Sequence, residues 1–208
     1  MILQEYVAGE EFGVFYVRHP DEAHGQIISL THKTFPVVTG DGAHSLEALI
    51  RNDERAVCLA ELYCANHAIR LNDVPRAGER IQLSELGSHC RGAIFLDGSK
   101  YLTPVLQTAI ERISQCYQGF YFGRYDLRAA SVGDLMAGRN FKILELNGVT
   151  SEATHIYDAR HGLLYAYRTL FRQWRMAFEI GAANQTRGAN VTSLAGLLKA
   201  WYHSTSTN

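Results

Sequence analysis

Two short strings, Arg124-Tyr125-Asp126 and Glu145-Leu146-Asn147, hold the residue types in this chain that are best suited to chemistry. Each sits in a stretch that reads as β-strand. Side chains alternate along a strand, so Arg124 and Asp126 share one face of the first, and Glu145 and Asn147 share one face of the second. If the strands pair with those faces together, three hard oxygen donors and a guanidinium converge. Magnesium takes carboxylate, water and phosphate oxygens, and an arginine offers a planar fork to an oxyanion, so the chemistry indicated is that of Mg²⁺ and phosphate. The alternative reading is a solvated hairpin whose outer face carries a salt bridge, a common arrangement of little energetic consequence.

The elements that must position these strings follow from local pattern. Strands are expected from Ile2 to Val7, Glu10 to Arg18 and Gln26 to Thr34, a meander with turns at Ala8-Gly9 and His19 to Gly25. Ser45 is placed to cap a short helix bearing Leu46, Leu49 and Ile50, and Asp53 a second one bearing Val57, Ala60, Ala65 and Ala68. Strands are expected at Arg80 to Leu86 and Ala93 to Leu96. Thr103 as N-cap and Pro104 at the first helical position open a helix with Val105, Ala109, Ile110 and Ile113 inward, which leads into the Arg124 strand. After the Glu145 strand and a loop of small and hydroxyl residues, Leu163, Tyr167, Leu170, Trp174 and Phe178 form one helical stripe expected to face the core. Gly181 is expected to end that helix, and Ser193 to begin a last one.

Composition narrows the function. In 208 residues, nearly half of them apolar, there is enough chain for one large core or two small ones. A net charge of −1 gives no footprint for nucleic acid. No run reaches the apolar length of a membrane span, and the first residues do not read as a signal peptide, so the cytoplasm is the expected compartment. Cys58, Cys64, Cys90 and Cys116 lack zinc-site spacing and are expected to be reduced and mostly buried.

The order of elements, ending in Arg-x-Asp, a connection and Glu-x-Asn, resembles the carboxyl-terminal half of the ATP-grasp ligases. Gln4-Glu5-Tyr6-Val7-Ala8-Gly9-Glu10-Glu11-Phe12 resembles the hinge segment of the D-alanine:D-alanine ligase branch. Val38 to Gly42 with Leu46 to Ile50, and Pro75 to Glu79, are similar to segments of the cyanophycin synthetases. The resemblance implies an α+β fold of mixed, mostly antiparallel sheets flanked by helices, with residues 1–180 a partial ATP-grasp domain and 181–208 a helix and tail outside it. It implies ATP and Mg²⁺, with Asp126, Glu145 and Asn147 as metal ligands, Arg124 steadying an acyl phosphate and a tetrahedral intermediate, and Lys33 on the nucleotide phosphates. Glu11 would meet the ribose, and Gln4, Glu5, Tyr6 and Val7 the adenine. For Lys33 the alternative is a solvated lysine at a strand end. Arg91, His89, Thr150 and Ser151 are the loop residues to consider for the acceptor.

The implied activity is an ATP-dependent ligase that joins a small carboxylate to an amine through an acyl phosphate. In that superfamily an earlier lobe supplies another phosphate-binding lysine and a glycine-rich loop, whereas this chain begins at the hinge. Either the chain is a truncated reading frame or its missing half comes from another polypeptide, and an isolated half is expected to self-associate or swap strands. Two other readings stay open: a noncatalytic remnant that binds nucleotide or a partner, and a small metal-dependent phosphohydrolase.

Overall fold

A computed structural model describes residues 5–84, 87 and 89–205. Its frame is a five-stranded sheet in the order β5-β2-β1-β6-β7, with every pairing antiparallel. The strands are β1 (Glu10–Val17), β2 (Gln26–Thr34), β5 (Ile94–Asp97), β6 (Phe122–Ala129) and β7 (Phe141–Asn147). Strand alternation gives the sheet two unlike faces. Phe12, Val14 and Tyr16 of β1 join Leu30 of β2 and Tyr125 and Leu127 of β6 on one face, under α3 (Pro104–Gln115) and α4 (Val132–Met136).

Helix α3 forms where its capping residues direct. Thr103 Oγ1 accepts from the Leu106 amide, Pro104 occupies the first turn, and Leu106, Ala109 and Ile110 are buried. Glu111 then pins the helix to the sheet by accepting hydrogen bonds from the Tyr16 hydroxyl at 2.8 Å and the Gly25 amide at 2.9 Å.

Residues between β2 and β5 build a second core. β3 (Val37–Thr39) pairs antiparallel with β4 (Arg80–Gln82), and α1 (Leu46–Asn52) and α2 (Ala60–Asn66) pack Leu46, Ile50 and Tyr63 against Val38 and Ile81. Ser45 caps α1 as expected, and Asp53 accepts from the amides of Arg55 and Ala56 ahead of α2. The fold class is thus α+β, with antiparallel sheets flanked by helices.

Several local expectations are corrected. Residues 5–7 carry no strand, and Ile2 to Gln4 lie outside the described residues. The Arg80 strand ends at Gln82, short of the Leu86 expected, and residues 85 and 86 lie outside the described residues. Helix α5 (Leu163–Thr186) runs through Gly181 rather than ending there. Its expected core stripe faces outward: Leu163, Tyr167, Trp174 and Phe178 are all exposed. The buried line holds Gln173 and Ile180, because Gln173 answers backbone groups that no leucine could satisfy. The last helix, α6 (Leu194–Thr205), also presents Leu194, Leu197 and Leu198 outward. None of the cysteines is in a disulfide, but only Cys64 is buried, while Cys58, Cys90 and Cys116 are exposed.

Candidate active site

The second face of the sheet is apolar at one end and charged at the other. Phe15 and Val17 of β1 and Phe122 of β6 meet Ala153 and Ile180 beneath α5. Along the same strands, Glu11, Lys33, Arg124, Asp126 and Arg128 replace those apolar side chains.

Register explains how they meet. Glu11 of β1 lies between Lys33 of β2 and Arg128 of β6, and Gly13 lies between Thr31 and Asp126. Across β6 and β7, Arg124 faces Asn147 and Asp126 faces Glu145. A bulge makes this second pairing work. Asp126 opposes Glu145 while Leu127 opposes Ile143, so Leu144 is an extra residue in β7. Lys142 and Glu145 are an odd number apart, and only the extra residue brings both onto the face of the β6 charges.

The charged groups form one continuous network. Lys33 Nζ lies 3.1 Å from Glu11 Oε1 and 3.2 Å from Asp126 Oδ2. Arg124 donates to both Asp126 oxygens, Nε at 2.9 Å and Nη2 at 3.2 Å, and its Nη1 donates to the Glu152 carbonyl at 3.0 Å. Arg128 donates from Nε to Glu11 Oε2 at 3.2 Å and from Nη1 to the Val7 carbonyl at 2.8 Å. Asn147 Nδ2 donates to Asp126 Oδ2 at 3.3 Å.

Lys33 is 5% exposed and Asp126 7%, so neither the solvated lysine nor the solvated hairpin describes this region. Two carboxylates held among three cations keep those cations fixed without collapsing the cleft. Gly13 provides the room, since a Cβ there would stand 3.3 Å from Arg124 Cδ and 3.5 Å from Asp126 Oδ1. Gly87 allows a similar approach from the loop side, where a Cβ would fall 1.9 Å from Glu11 Oε1.

Glu11, Lys33, Arg124 and Asp126 of this network line a cleft of about 500 Å³, together with Gly87, Phe95, Leu144, Glu145, Glu152 and Thr154. Glu145 is exposed and makes no ion pair with a described residue. Glu152 accepts from the Tyr157 hydroxyl at 2.5 Å, and burial and that bond push the Tyr157 phenol up to about 12. Thr154 and Thr31 hydroxyls, 3.0 Å apart, tie the next loop to β2.

The structure therefore brings together Lys33, Glu11, Arg124, Asp126, Glu145 and Asn147. Three of the residues expected at a hinge, Glu5, Tyr6 and Val7, lie beside them. Val7 joins through its carbonyl to Arg128, the Tyr6 ring is 5.6 Å from the Arg128 guanidinium, and Glu5 pairs with Lys142 at 2.6 Å. Gln4 and the side chain of His89 lie outside the described residues. Arg91 is exposed and is not part of the cleft wall, and the Ser151 hydroxyl is used within its own loop, donating to the Gly148 carbonyl at 2.6 Å.

No protein-family model matches the sequence, and no curated protein matches it. Among solved structures the chain is similar to a bifunctional glutathione synthetase from Pasteurella multocida, with 15% identity and a TM-score of 0.49, over 81% of this chain and 25% of that one. The chain thus spans about a quarter of the length of that protein.

Arg128 was not among the residues singled out from sequence, although its position shows it. It follows Asp126 by two residues in the same strand, which puts it in the same row as Arg124 and Asp126. The part played by Gly87 had no such signal, because it depends on a contact between residues far apart in sequence.

Proposed function

We propose that the charged cleft binds the phosphates of Mg-ATP, and that the chain carries the nucleotide-holding part of a ligase joining a carboxylate to an amine. What supports this reading most is the buried Lys33 and the partly buried Arg124 paired with Asp126, which open onto a cleft that Glu145 also lines. Positive groups fixed in advance on a sheet stabilise charge on a moving phosphoryl group without reorganising.

In the proposed reaction the carboxylate attacks the γ phosphorus, ADP leaves, and an acyl phosphate forms. The amine then attacks the acyl carbon and inorganic phosphate departs. Lys33 holds phosphate oxygens, and Arg124, anchored by Asp126 and the Glu152 carbonyl, steadies the developing oxyanions. Asp126, Glu145 and Asn147 offer hard oxygen donors that suit Mg²⁺, which completes its shell from phosphate and water. Among the described residues no three His, Cys, Asp or Glu side chains form a metal cluster. The ion would neutralise phosphate charge. In this reading Glu5, Tyr6 and Val7 meet the base, and Glu11, held by Lys33 and Arg128, meets the ribose. The carboxylate and amine are small molecules in this reading.

One observation favours a second reading, a nucleotide-binding module without turnover. Asp126 is already contacted by Arg124, Lys33 and Asn147, so a metal there competes with two fixed cations for its charge.

Calorimetric titration with ATP, with and without Mg²⁺, tests binding in the wild type and in Lys33→Met. Magnesium-dependent binding that weakens at least about tenfold in the variant, a loss of about 1.4 kcal/mol, is the expected result. Absence of binding by folded protein defeats the proposal. Phosphate release from ATP on addition of amino acids and small carboxylates separates ligase from module.

A further inference from the structure

A second cavity lies under α5, outside the charged cleft. It encloses about 270 Å³, and Ile28, Ala153 and Met176 give it apolar walls, with His155 and Gln173 on its inner side. That volume suits a molecule smaller than those filling typical ligand pockets of about 300–1,000 Å³.

Arg168 and Arg172 stand at its mouth, four residues apart on one face of α5. Neither makes an ion pair with a described residue. Arg175, on the same helix, is neutralised by Glu179 at 2.8 Å. The two carboxylates that act on His155 are engaged elsewhere: Asp97 by His161 at 2.8 Å and Asp158 by Arg160 at 2.5 Å. Like charges one helical turn apart repel, and an oxyanion seated between two guanidinium forks removes that repulsion while filling both forks.

The inner wall offers no competing charge. His155 Nδ1 lies 2.6 Å from Ser29 Oγ and its Nε2 lies 3.0 Å from the Tyr165 hydroxyl, so both ring nitrogens are engaged. Burial lowers its pKa and keeps the ring neutral. Gln173 is neutral and is held at both ends of its amide, accepting from the Ala153 amide at 2.9 Å and donating to the Ser151 carbonyl at 2.8 Å.

We infer that this cavity is a binding site for a small organic carboxylate with an apolar body, its carboxylate held by Arg168 and Arg172 and its hydrocarbon part against Ile28 and Met176. The inference is independent of the nucleotide reading, since none of these residues belongs to the charged cleft. The ligand would lie against Gln173, whose two backbone contacts flank the Glu152 carbonyl that anchors Arg124.

The test is an amide chemical-shift titration of the full chain with hexanoate, inorganic phosphate and 1-hexanol, repeated on the double variant Arg168→Gln, Arg172→Gln. Hexanoate should give saturable shifts at Gln173 and its neighbours, with phosphate and hexanol binding at least tenfold more weakly. The double variant should lose hexanoate affinity by tenfold or more, and Arg172→Gln alone serves if the double variant loses its dispersed spectrum. No saturable shift, equal binding of phosphate or hexanol, or undiminished binding by the variants overturns the inference.

Discussion

Strand β6 has two faces that are buried for opposite reasons. Tyr125, Leu127 and Ala129 have no solvent exposure and sit in the hydrophobic core beneath α3 and α4. One residue out of step, Arg124, Asp126 and Arg128 are also largely withdrawn from water, but among charges. The first face is held by area removed from water and close packing. The second is held because each buried charge has a partner, an arrangement that contributes little net stability yet is strongly destabilised when one partner is removed. A sheet built for stability alone could carry apolar side chains on both faces, as it does under α5. The charged end is therefore the region where stability has been given up for a fixed arrangement of charges.

The largest expected effect is on the apolar face. Leu127→Ala should lower unfolding stability by roughly 2–5 kcal/mol, because it removes packing atoms from a site that cannot fully collapse. Urea denaturation measures it, and a loss under about 1 kcal/mol would show that this face is not the close-packed core described.

On the charged face the outcome should depend on which member is removed. Asp126→Ala takes away the only carboxylate that Arg124 contacts among the described residues and should cost roughly 2–4 kcal/mol. Lys33→Met leaves Glu11 with Arg128 and Asp126 with Arg124, so the expected cost is about 1 kcal/mol or less. Equal losses for the two variants would contradict the asymmetry of the network.

The same two faces show what can be read from sequence. Period-two alternation placed Arg124 with Asp126 and Glu145 with Asn147, and the cap at Thr103-Pro104 placed α3, since both signals are local. The α+β class was expected from the family resemblance that the order of elements carries. What escaped was set by distant contacts. The Leu144 bulge depends on the pairing of β7 with β6, and the burial of Lys33 depends on Glu11 and Asp126 lying on neighbouring strands. Helix α5 shows the limit most clearly. Its large apolar residues suggested the inward side, but the buried line is set by Gln173, which bonds to the 151–153 backbone. A strong periodic signal gives the face that is apolar, not the face that finds a partner.

A smaller effect concerns His155, buried where the apolar end of the sheet meets α5. Its folded pKa lies below the ordinary 6.5, first through burial and then through the nearby His161, against an opposing pull from Asp97 and Asp158. The unfolded chain therefore binds more protons below about pH 6.5, and stability should fall as pH drops through that value toward the folded pKa, below which the loss is complete. His32, whose pKa is also lowered mainly by burial, adds to the same slope. Chemical denaturation at pH 7.5 and pH 5.5 should show a smaller pH difference in His155→Gln than in wild type. Identical slopes would mean that His155 is not held neutral by the fold.

The smallest stability change should come from Glu145→Gln, and it offers the sharpest division between holding the fold and binding a ligand. Glu145 faces Asp126 across the strand pair but is exposed and unpaired among the described residues. Its substitution should shift stability by less than about 0.5 kcal/mol, as for a surface position without a buried partner. If the cleft takes phosphate with Mg²⁺, the same variant should weaken ATP binding in the presence of the ion and leave metal-free binding unchanged or slightly stronger, because one negative charge near the phosphates is gone. Thermal denaturation and calorimetric titration on the same samples measure the two effects. Equal weakening with and without Mg²⁺ would place Glu145 outside the metal's reach, leaving Lys33 and Arg124 to account for phosphate binding.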